Sequence, residues 1–289
     1  MKHMILECEQ GSQEWLSLRK TKITATDSSV IMNVNPWKTP YRLWEEKLDL
    51  CEVQPVNQKM IEGTILEEQA RDFWNNKVSS DYKPVVLGSK QYDFMMASLD
   101  GINSNGDILE IKCGQKSHEM AKNYEIAPYY FAQIQKQLYV SNVRFSSFLS
   151  YRSPEDFIHF TIERDDEFIE KMVEAEKEFY RCMMELTPPK LSKKDYLIRE
   201  DREWEILAEA LKKTKKEINK LEQEEENLRD ELIRISRGES SQGAGIILTK
   251  CIGKGKINYS KIEELKSIDL EKYRGKPINS WRITTSEEK

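Results

Sequence analysis

Asp100-Gly101 and, further along, Glu110-Ile111-Lys112 are the residues of this chain whose types and spacing could do chemistry. Asp107 to Lys112 alternates like a strand, which puts Glu110 and Lys112 on one face. Asp100 precedes a turn-rich stretch, Gly101-Ile102-Asn103-Ser104-Asn105-Gly106. That stretch can return the chain as a neighbouring strand and bring Asp100 beside Glu110. Two carboxylates about 4 Å apart repel by about 4 kcal/mol at an effective dielectric near 20. A hard divalent cation removes that penalty, and the Ile111 backbone carbonyl is available as a third oxygen ligand. Phosphodiester hydrolysis uses such an ion to bring water to phosphorus and to stabilise the leaving oxygen. Lys112 would position or polarise the water and screen phosphate charge. Taken alone, the same pattern also describes a surface strand ending in an ordinary Glu/Lys pair.

The elements around these residues can be read from periodicity. Helical segments dominate to about Asn76. Strand-like segments follow at Val85–Gly88, Asp93–Leu99 and Ile108–Cys113, then a helix near Tyr129–Val140 and strands at Phe145–Tyr151 and Phe157–Ile162. Asp165 to Met184 has Phe168, Met172, Ala175 and Phe179 on one side of a long helix, and Pro188-Pro189 ends the region. The order predicts an α/β core with a central mixed sheet flanked by helices. Thr24 followed by Asp27 reads as a helix N-terminus, whose free N–H groups can bind an anion. Arg19, on the preceding amphipathic segment, could fork onto a phosphate or pair with a carboxylate. Glu67 flanks an apolar helical face of Leu66, Ala70, Phe73 and Trp74. Gln133 and Gln137 share one helical side, and Ile134 and Leu138 another. Trp15, Trp37, Trp44 and Trp74 are read as core or helix-packing residues rather than base-stacking platforms.

Composition sets bounds. The 289 residues suffice for a core domain and an extension. A net charge of −5 argues against a general nucleic-acid coat protein but leaves room for a local basic channel. The five cysteines are scattered without a Cys-x-x-Cys pair, as expected of reduced thiols in a cytosolic protein. The three histidines lack ligand spacing, and no Walker-type Gly-Lys-Ser/Thr loop is present. There is no apolar run of membrane length, and the N-terminal stretch is too short and polar for a signal peptide.

Several short motifs, in order, carry a family resemblance. They are Gln13-Glu14-Trp15-Leu16-Ser17-Leu18-Arg19, Ile23-Thr24-Ala25-Thr26-Asp27, Asn35-Pro36-Trp37-Lys38-Thr39-Pro40-Tyr41 and Gly63-Thr64-Ile65-Leu66-Glu67. Ser98-Leu99-Asp100-Gly101, Leu109-Glu110-Ile111-Lys112 and Tyr130-Phe131-Ala132-Gln133-Ile134-Gln135 complete the set. From Cys8 to Tyr180 the chain thereby resembles the YqaJ-like viral recombinase family, whose best-known relative is lambda exonuclease. The resemblance implies a restriction-endonuclease-like core that digests linear duplex DNA from the 5′ end with Mg²⁺, for which Mn²⁺ substitutes. It implies Asp100 and Glu110 as metal ligands, beside which the Ile111 carbonyl would be the third, and Lys112 as the catalytic lysine. Glu67 would project into the same site, orienting a second metal or water, and Gln133 would lie near the reacting phosphate. Arg19 and Thr26 match positions that bind the 5′ phosphate, with Thr26 in place of a more usual Ser. Leu99 stands where the family commonly has Pro. Implied partners are double-stranded DNA ends, a single-strand annealing recombinase and further copies in a ring, a trimer by resemblance. The implied setting is the bacterial cytoplasm, with a phage or prophage origin.

Beyond the core, Trp204, Leu211, Ile218 and Leu232 keep one heptad phase and Leu207, Leu221, Leu228 and Ile235 another, a coiled-coil seam of about four heptads. The seam would pair with another subunit, or fold against Asp195–Ala210 or the core. Arg237 to Gly245 reads as a flexible linker or exposed loop, followed by strands at Ile246–Ile252 and Ile257–Tyr259 that form a hairpin around Gly253-Lys254-Gly255 in a small α+β module. The expected domains are a nuclease domain over 1–189, a helical coiled-coil extension over 190–237 and a C-terminal α+β module over 238–289. Two rival readings share these residues: a same-fold endonuclease or structure-specific nuclease, and a catalytically idle DNA-end-binding scaffold.

Overall fold

The computed structural model describes residues 4–52 and 58–251, together with 262, 263 and 268. The chain divides into two compact units, Met1–Leu197 and Ile198–Lys289. In the first, β1 (Met4–Ile5) precedes α1 (Gln13–Thr21), α2 (Ala25–Ile31), α3 (Pro40–Lys47) and the long α4 (Gln58–Val78). Then come β2 (Lys83–Gly88), β3 (Met96–Ile102), β4 (Ile108–Lys112), α5 (Gln115–Ala121) and α6 (Pro128–Ser141). Strands β5 (Phe145–Ser153) and β6 (Asp156–Glu163) and helix α7 (Asp166–Met184) complete it. Strand β1 and helix α5 fall in segments to which periodicity assigns nothing, being too short to show it.

The six strands lie in sequence order, so the expected mixed sheet is present. All neighbours are antiparallel except β4 and β5, which are parallel and need the crossover that α5 and α6 supply. Strand β4 is central, and its first four residues are buried. Alternation sends Leu109 and Ile111 into one cluster with Ala70 and Trp74 of α4. Ile108 faces the other cluster, with Ile134 and Leu138 of α6. Glu110 is in phase with Ile108 and therefore turns toward α6.

The β2–β3 ladder carries a bulge at the residue that matters most. Val85 opposes Leu99, but Lys83 opposes Ile102, so Asp100-Gly101 together face Pro84 alone. Pro84 has no N–H to give the ladder, which makes this the natural place for an extra residue. The Gln10 side-chain amide bridges the gap, donating to the Leu99 carbonyl at 3.0 Å and the Val85 carbonyl at 3.5 Å. Space at Gly101 is tight: a Cβ there would meet Tyr82 Cβ at 3.0 Å and Leu109 Cβ at 3.3 Å.

Helix α2 starts where the sequence placed it. Thr24 and Asp27 form a reciprocal capping box. Lys47 donates to Asp27 Oδ2 at 2.6 Å and to the Lys22 carbonyl at 2.8 Å, and also contacts the Arg19 carbonyl. Burial pushes the Asp27 carboxyl up, but Lys47 and then Arg19 outweigh it and hold it below its usual range. One turn further, Ser28 donates to Glu176 Oε1 at 2.6 Å, and Glu176 pairs with Lys136. Lys136 and Glu176 have no solvent exposure, so this pair pins α2, α6 and α7 together in the interior.

In the second unit, α8 (Arg202–Ile235) is one continuous helix of 34 residues, and its Trp204, Leu207, Leu221 and Leu228 are exposed. Part of the stretch expected to be a linker or exposed loop is a strand instead: β7 (Ser241–Gly243) pairs with β8 (Ile246–Leu248), which falls within the strand expected over Ile246–Ile252. Ala244 (φ 48°) and Gly245 (φ 80°) make the two-residue turn, the left-handed pair that matches strand twist. Ile246 and Leu248 line a groove with Leu221, Leu228 and Leu232, so the hairpin faces part of the seam. The hairpin expected around Gly253-Lys254-Gly255 lies outside the described residues. Among the described residues, no helix is long and apolar enough to cross a membrane.

Removing one member of the buried pair leaves the other charge unpaired. Lys136→Ala is expected to cost about 3–5 kcal/mol in urea denaturation. The double variant Lys136→Met/Glu176→Leu should recover most of it. A single variant within about 0.5 kcal/mol of wild type would show that the pair does not hold the core.

Candidate functional site at the opening between two strands

Strands β3 and β4 pair only at Gly101–Leu109 and Ile102–Ile108, and diverge beyond. Strand β4 keeps its partner on the other side, in register with β5 to Lys112–Ser150. Asp100 stands in the opening, its Oδ2 accepting the Ile111 N–H at 2.8 Å. The bulge delivers the carboxylate to that edge, and the bond satisfies a donor the ladder has released.

Glu110 has no exposed surface, yet each of its oxygens has partners. Oε1 accepts from Gln133 Nε2 at 2.6 Å and pairs with Lys112, and Oε2 accepts from Gln137 Nε2 at 2.6 Å. One turn of α6 separates the two amides, so a single helix face clamps both oxygens. Lys112 Nζ also lies 4.8 Å from the centre of the Tyr130 ring. Burial would lower the Lys112 ammonium, but Glu110 and Asp100 outweigh it and hold its pKa above the ordinary value. The Asp100 carboxyl is raised too: burial, then the Glu110 charge, lifts it well above its usual range.

Glu67 reaches the same neighbourhood from α4. Its Oε1 accepts from Arg71 at 2.9 Å, and Arg71 Nε donates to the Asp100 carbonyl at 2.6 Å. Burial raises the Glu67 carboxyl, Arg71 and Lys112 oppose that, and Glu110 adds to it. The structure thus brings Asp100, Glu110, Lys112, Gln133 and Glu67 around one opening. Sequence reasoning missed Gln137 and Arg71. The i, i+4 amides on α6 were a usable signal for Gln137. Arg71 had none, because its partner is a backbone carbonyl at the bulge.

A second cluster lies at the α2 N-terminus. Arg19 donates to Thr26 Oγ1 at 3.3 Å, and Thr26 Oγ1 is 3.0 Å from Thr24 Oγ1. The Arg19 guanidinium lies 4.6 Å from the Trp15 ring centre and makes no ion pair among the described residues. Of its two expected partners, no carboxylate pairs with it directly, although its charge acts on Asp27. The clusters meet at Ser98: its hydroxyl accepts from Trp15 Nε1 at 2.9 Å and its carbonyl from Gln137 at 3.2 Å. The tryptophans divide. Trp44 and Trp74 are buried as expected, but Trp37 is 72% exposed, which corrects its reading as a core or packing residue. A Pro-containing loop holds it outward at a place where periodicity gives no warning.

The donor set around Asp100 is all oxygen, the preference of hard cations. Among the described residues no three His, Cys, Asp or Glu side chains converge to hold one ion. An ion here would rest on Asp100, Glu110, the Ile111 carbonyl and water, which suits Mg²⁺, an ion that keeps several waters. An all-oxygen donor set in which Asp100 faces the charge of Glu110 fits such an ion.

An α/β unit with a mixed sheet, and an Asp and a Glu-x-Lys where its central strands part, has an exonuclease-like fold. The chain is similar to the alkaline exonuclease LHK-Exo from Laribacter hongkongensis, with a TM-score of 0.54 and 24% identity over 61% of this chain and 94% of that one. One structure of that enzyme is a complex with dAMP. Residues 14–144 match the YqaJ-like viral recombinase domain. Among curated proteins it is 32% identical over 185 residues to the uncharacterized protein YqaJ of Bacillus subtilis (strain 168), covering 60% of this chain and 56% of that one. It is 31% identical over 177 residues to an uncharacterized protein of Acanthamoeba polyphaga mimivirus, covering 53% of this chain and 32% of that one. The chain therefore spans less than two thirds of either curated relative.

Charge at the opening gives a test that needs no substrate. In protein freed of divalent ions, Asp100→Asn keeps an acceptor for the Ile111 N–H and removes a charge facing Glu110. Because the Asp100 carboxyl is raised in the folded state, its contribution to stability is complete below about pH 4 and is lost as pH rises through the raised value. Wild type should therefore lose melting temperature over that rise, and the variant should lose less. Added Mn²⁺ should stabilise wild type and not the variant. Parallel pH curves with equal Mn²⁺ responses would contradict this electrostatic account.

Proposed function

We propose that the protein is a Mg²⁺-dependent deoxyribonuclease that degrades linear duplex DNA from the 5′ end and leaves 3′ single-stranded tails. The observation that carries this reading is the convergence of Asp100, Glu110 and Lys112 where β3 and β4 part. The similarity to a structurally known alkaline exonuclease supports a DNA substrate. Asp100, Glu110 and the Ile111 carbonyl would hold the ion, with Glu67 orienting a second ion or a water. Bound Mg²⁺ supplies positive charge to the phosphate and acidity to the attacking water.

The chain's own groups do the rest. Lys112, kept as an ammonium by its two carboxylate neighbours, donates to the attacking water or a phosphate oxygen and offsets charge in the transition state. Gln133, which donates to Glu110, would align the water. Arg19, Thr26 and the free N–H groups of α2 take the 5′ phosphate, and this end contact gives the direction. The same reading includes a single-strand annealing recombinase as the user of the 3′ tail, a ring-shaped homo-oligomer, and a phage or prophage setting in a bacterial cytoplasm.

Purified full-length protein with Mg²⁺ should digest 5′-phosphorylated linear duplex, digest the 5′-hydroxyl form about 10- to 100-fold more slowly, and spare a covalently closed circle. Lys112→Ala should lower the rate by at least about 10²-fold and keep DNA binding. Arg19→Ala should mainly erase the preference for the 5′ phosphate. Equal cutting by Lys112→Ala and wild type would overturn the mechanism. Cleavage of the closed circle would favour an endonuclease, and binding without cleavage an end-binding scaffold.

A further inference from the structure

Trp37 is held out from the surface by a fixed loop. Asn35 Oδ1 accepts the N–H groups of Trp37 and Lys38, each at 3.0 Å, and Asn35 Nδ2 donates to Ser29 Oγ at 3.0 Å. A side chain this large and 72% exposed gains little for the fold from its position. It does not stand alone. Its ring centre lies 4.9 Å from that of Tyr129 at an interplanar angle of 67°, and Tyr129 lies 4.4 Å from Tyr130 at 59°. Lys112 Nζ is 4.8 Å from the Tyr130 ring centre. An aromatic path thus runs from an exposed indole to the lysine of the candidate centre. Tyr129 and Tyr130 are both half-buried, so part of each ring remains open to solvent.

Charge follows the same path. Lys116, exposed on α5, acts electrostatically on Tyr129 and forms no ion pair among the described residues. Lysines interleaved with aromatic rings are the usual means of holding a single strand: cations track the phosphates, and each base offers a π-face to a ring. A base within a duplex is stacked on both sides and has no free face. The occupant that fits is therefore unpaired.

We propose that Trp37, Tyr129 and Tyr130, with Lys116 beside them, form a stacking path for unpaired nucleobases of DNA that ends at Lys112. It deepens the nuclease reading and rests on it for the identity of the ligand. The path would hold the strand next to the reacting phosphate, so its residues position DNA rather than take part in bond cleavage.

The test uses full-length protein with Ca²⁺ in place of Mg²⁺ and a short oligothymidylate carrying 2-aminopurine. Wild type should bind it and quench the probe. Trp37→Ala should weaken binding roughly 5- to 100-fold and relieve the quenching, while Trp37→Phe keeps most of both. Tyr129→Ala should weaken binding in the same direction. Unchanged affinity of Trp37→Ala overturns the proposal, as does an equal loss in Trp37→Phe, because a ring face would then not be what matters. Cleavage of linear duplex is measured on the same preparation with Mg²⁺. Cleavage with Trp37-independent binding overturns the path alone. Trp37-dependent binding without cleavage overturns the nuclease reading and supports the path.

Discussion

A carboxylate with no exposed surface sits on the central strand of this protein, and much of the unit is arranged to hold it. A charge at Glu110 is tolerable only if both oxygens are met by donors. Gln133, Gln137 and Lys112 meet them. That requirement fixes the rotation of α6 over β4. It also fixes the phase of β4, since a one-residue slip would send Glu110 to the apolar α4 face. Lys112 is drawn inward by the same charge. The Glu110 carboxylate is thus fully partnered, and Asp100 stands on its open side, facing its charge.

Asp100 reaches that side through a backbone device. Pro84 cannot complete the β2–β3 ladder, Asp100-Gly101 bulges opposite it, and Gln10 and Arg71 take up the carbonyls left around the bulge. From there a continuous set of contacts runs outward. Gln137 holds Glu110 and the Ser98 carbonyl, Ser98 holds Trp15, and Trp15 underlies Arg19. The group suited to a terminal phosphate and the group suited to an ion are therefore built on one frame. Lys136 and Glu176 secure it from below by tying α2 to α6 and α7.

The centre was largely legible in the sequence because its signals are local. Alternation puts Glu110 and Lys112 together, a turn returns Asp100, and Thr24 with Asp27 announces a helix start. The α6 amides were visible as a helical side, although which carboxylate they serve depends on how α6 lies on the sheet. What escaped depends on long-range geometry. The bulge needs Pro84 and Asp100 to be opposed across two strands, and Arg71 binds a backbone atom. Trp37 resembles any core tryptophan until its loop is seen to face outward. In the second unit β8 falls in an expected strand, but β7 lies in a polar, glycine-containing stretch read as a linker or exposed loop, because it is too short to show alternation. Their Ala244-Gly245 turn is the feature that folds them.

The central claim is that the opening between β3 and β4 cuts DNA from an end that Arg19 and Thr26 define. The most direct measurement follows a 5′-phosphorylated linear duplex, labelled separately at each end, as wild-type protein and Mg²⁺ act on it. The account predicts that the 5′ label leaves first as a mononucleotide while the 3′ label persists in a lengthening single strand. Early release of the 3′ label, or internal fragments with both ends intact, would contradict it.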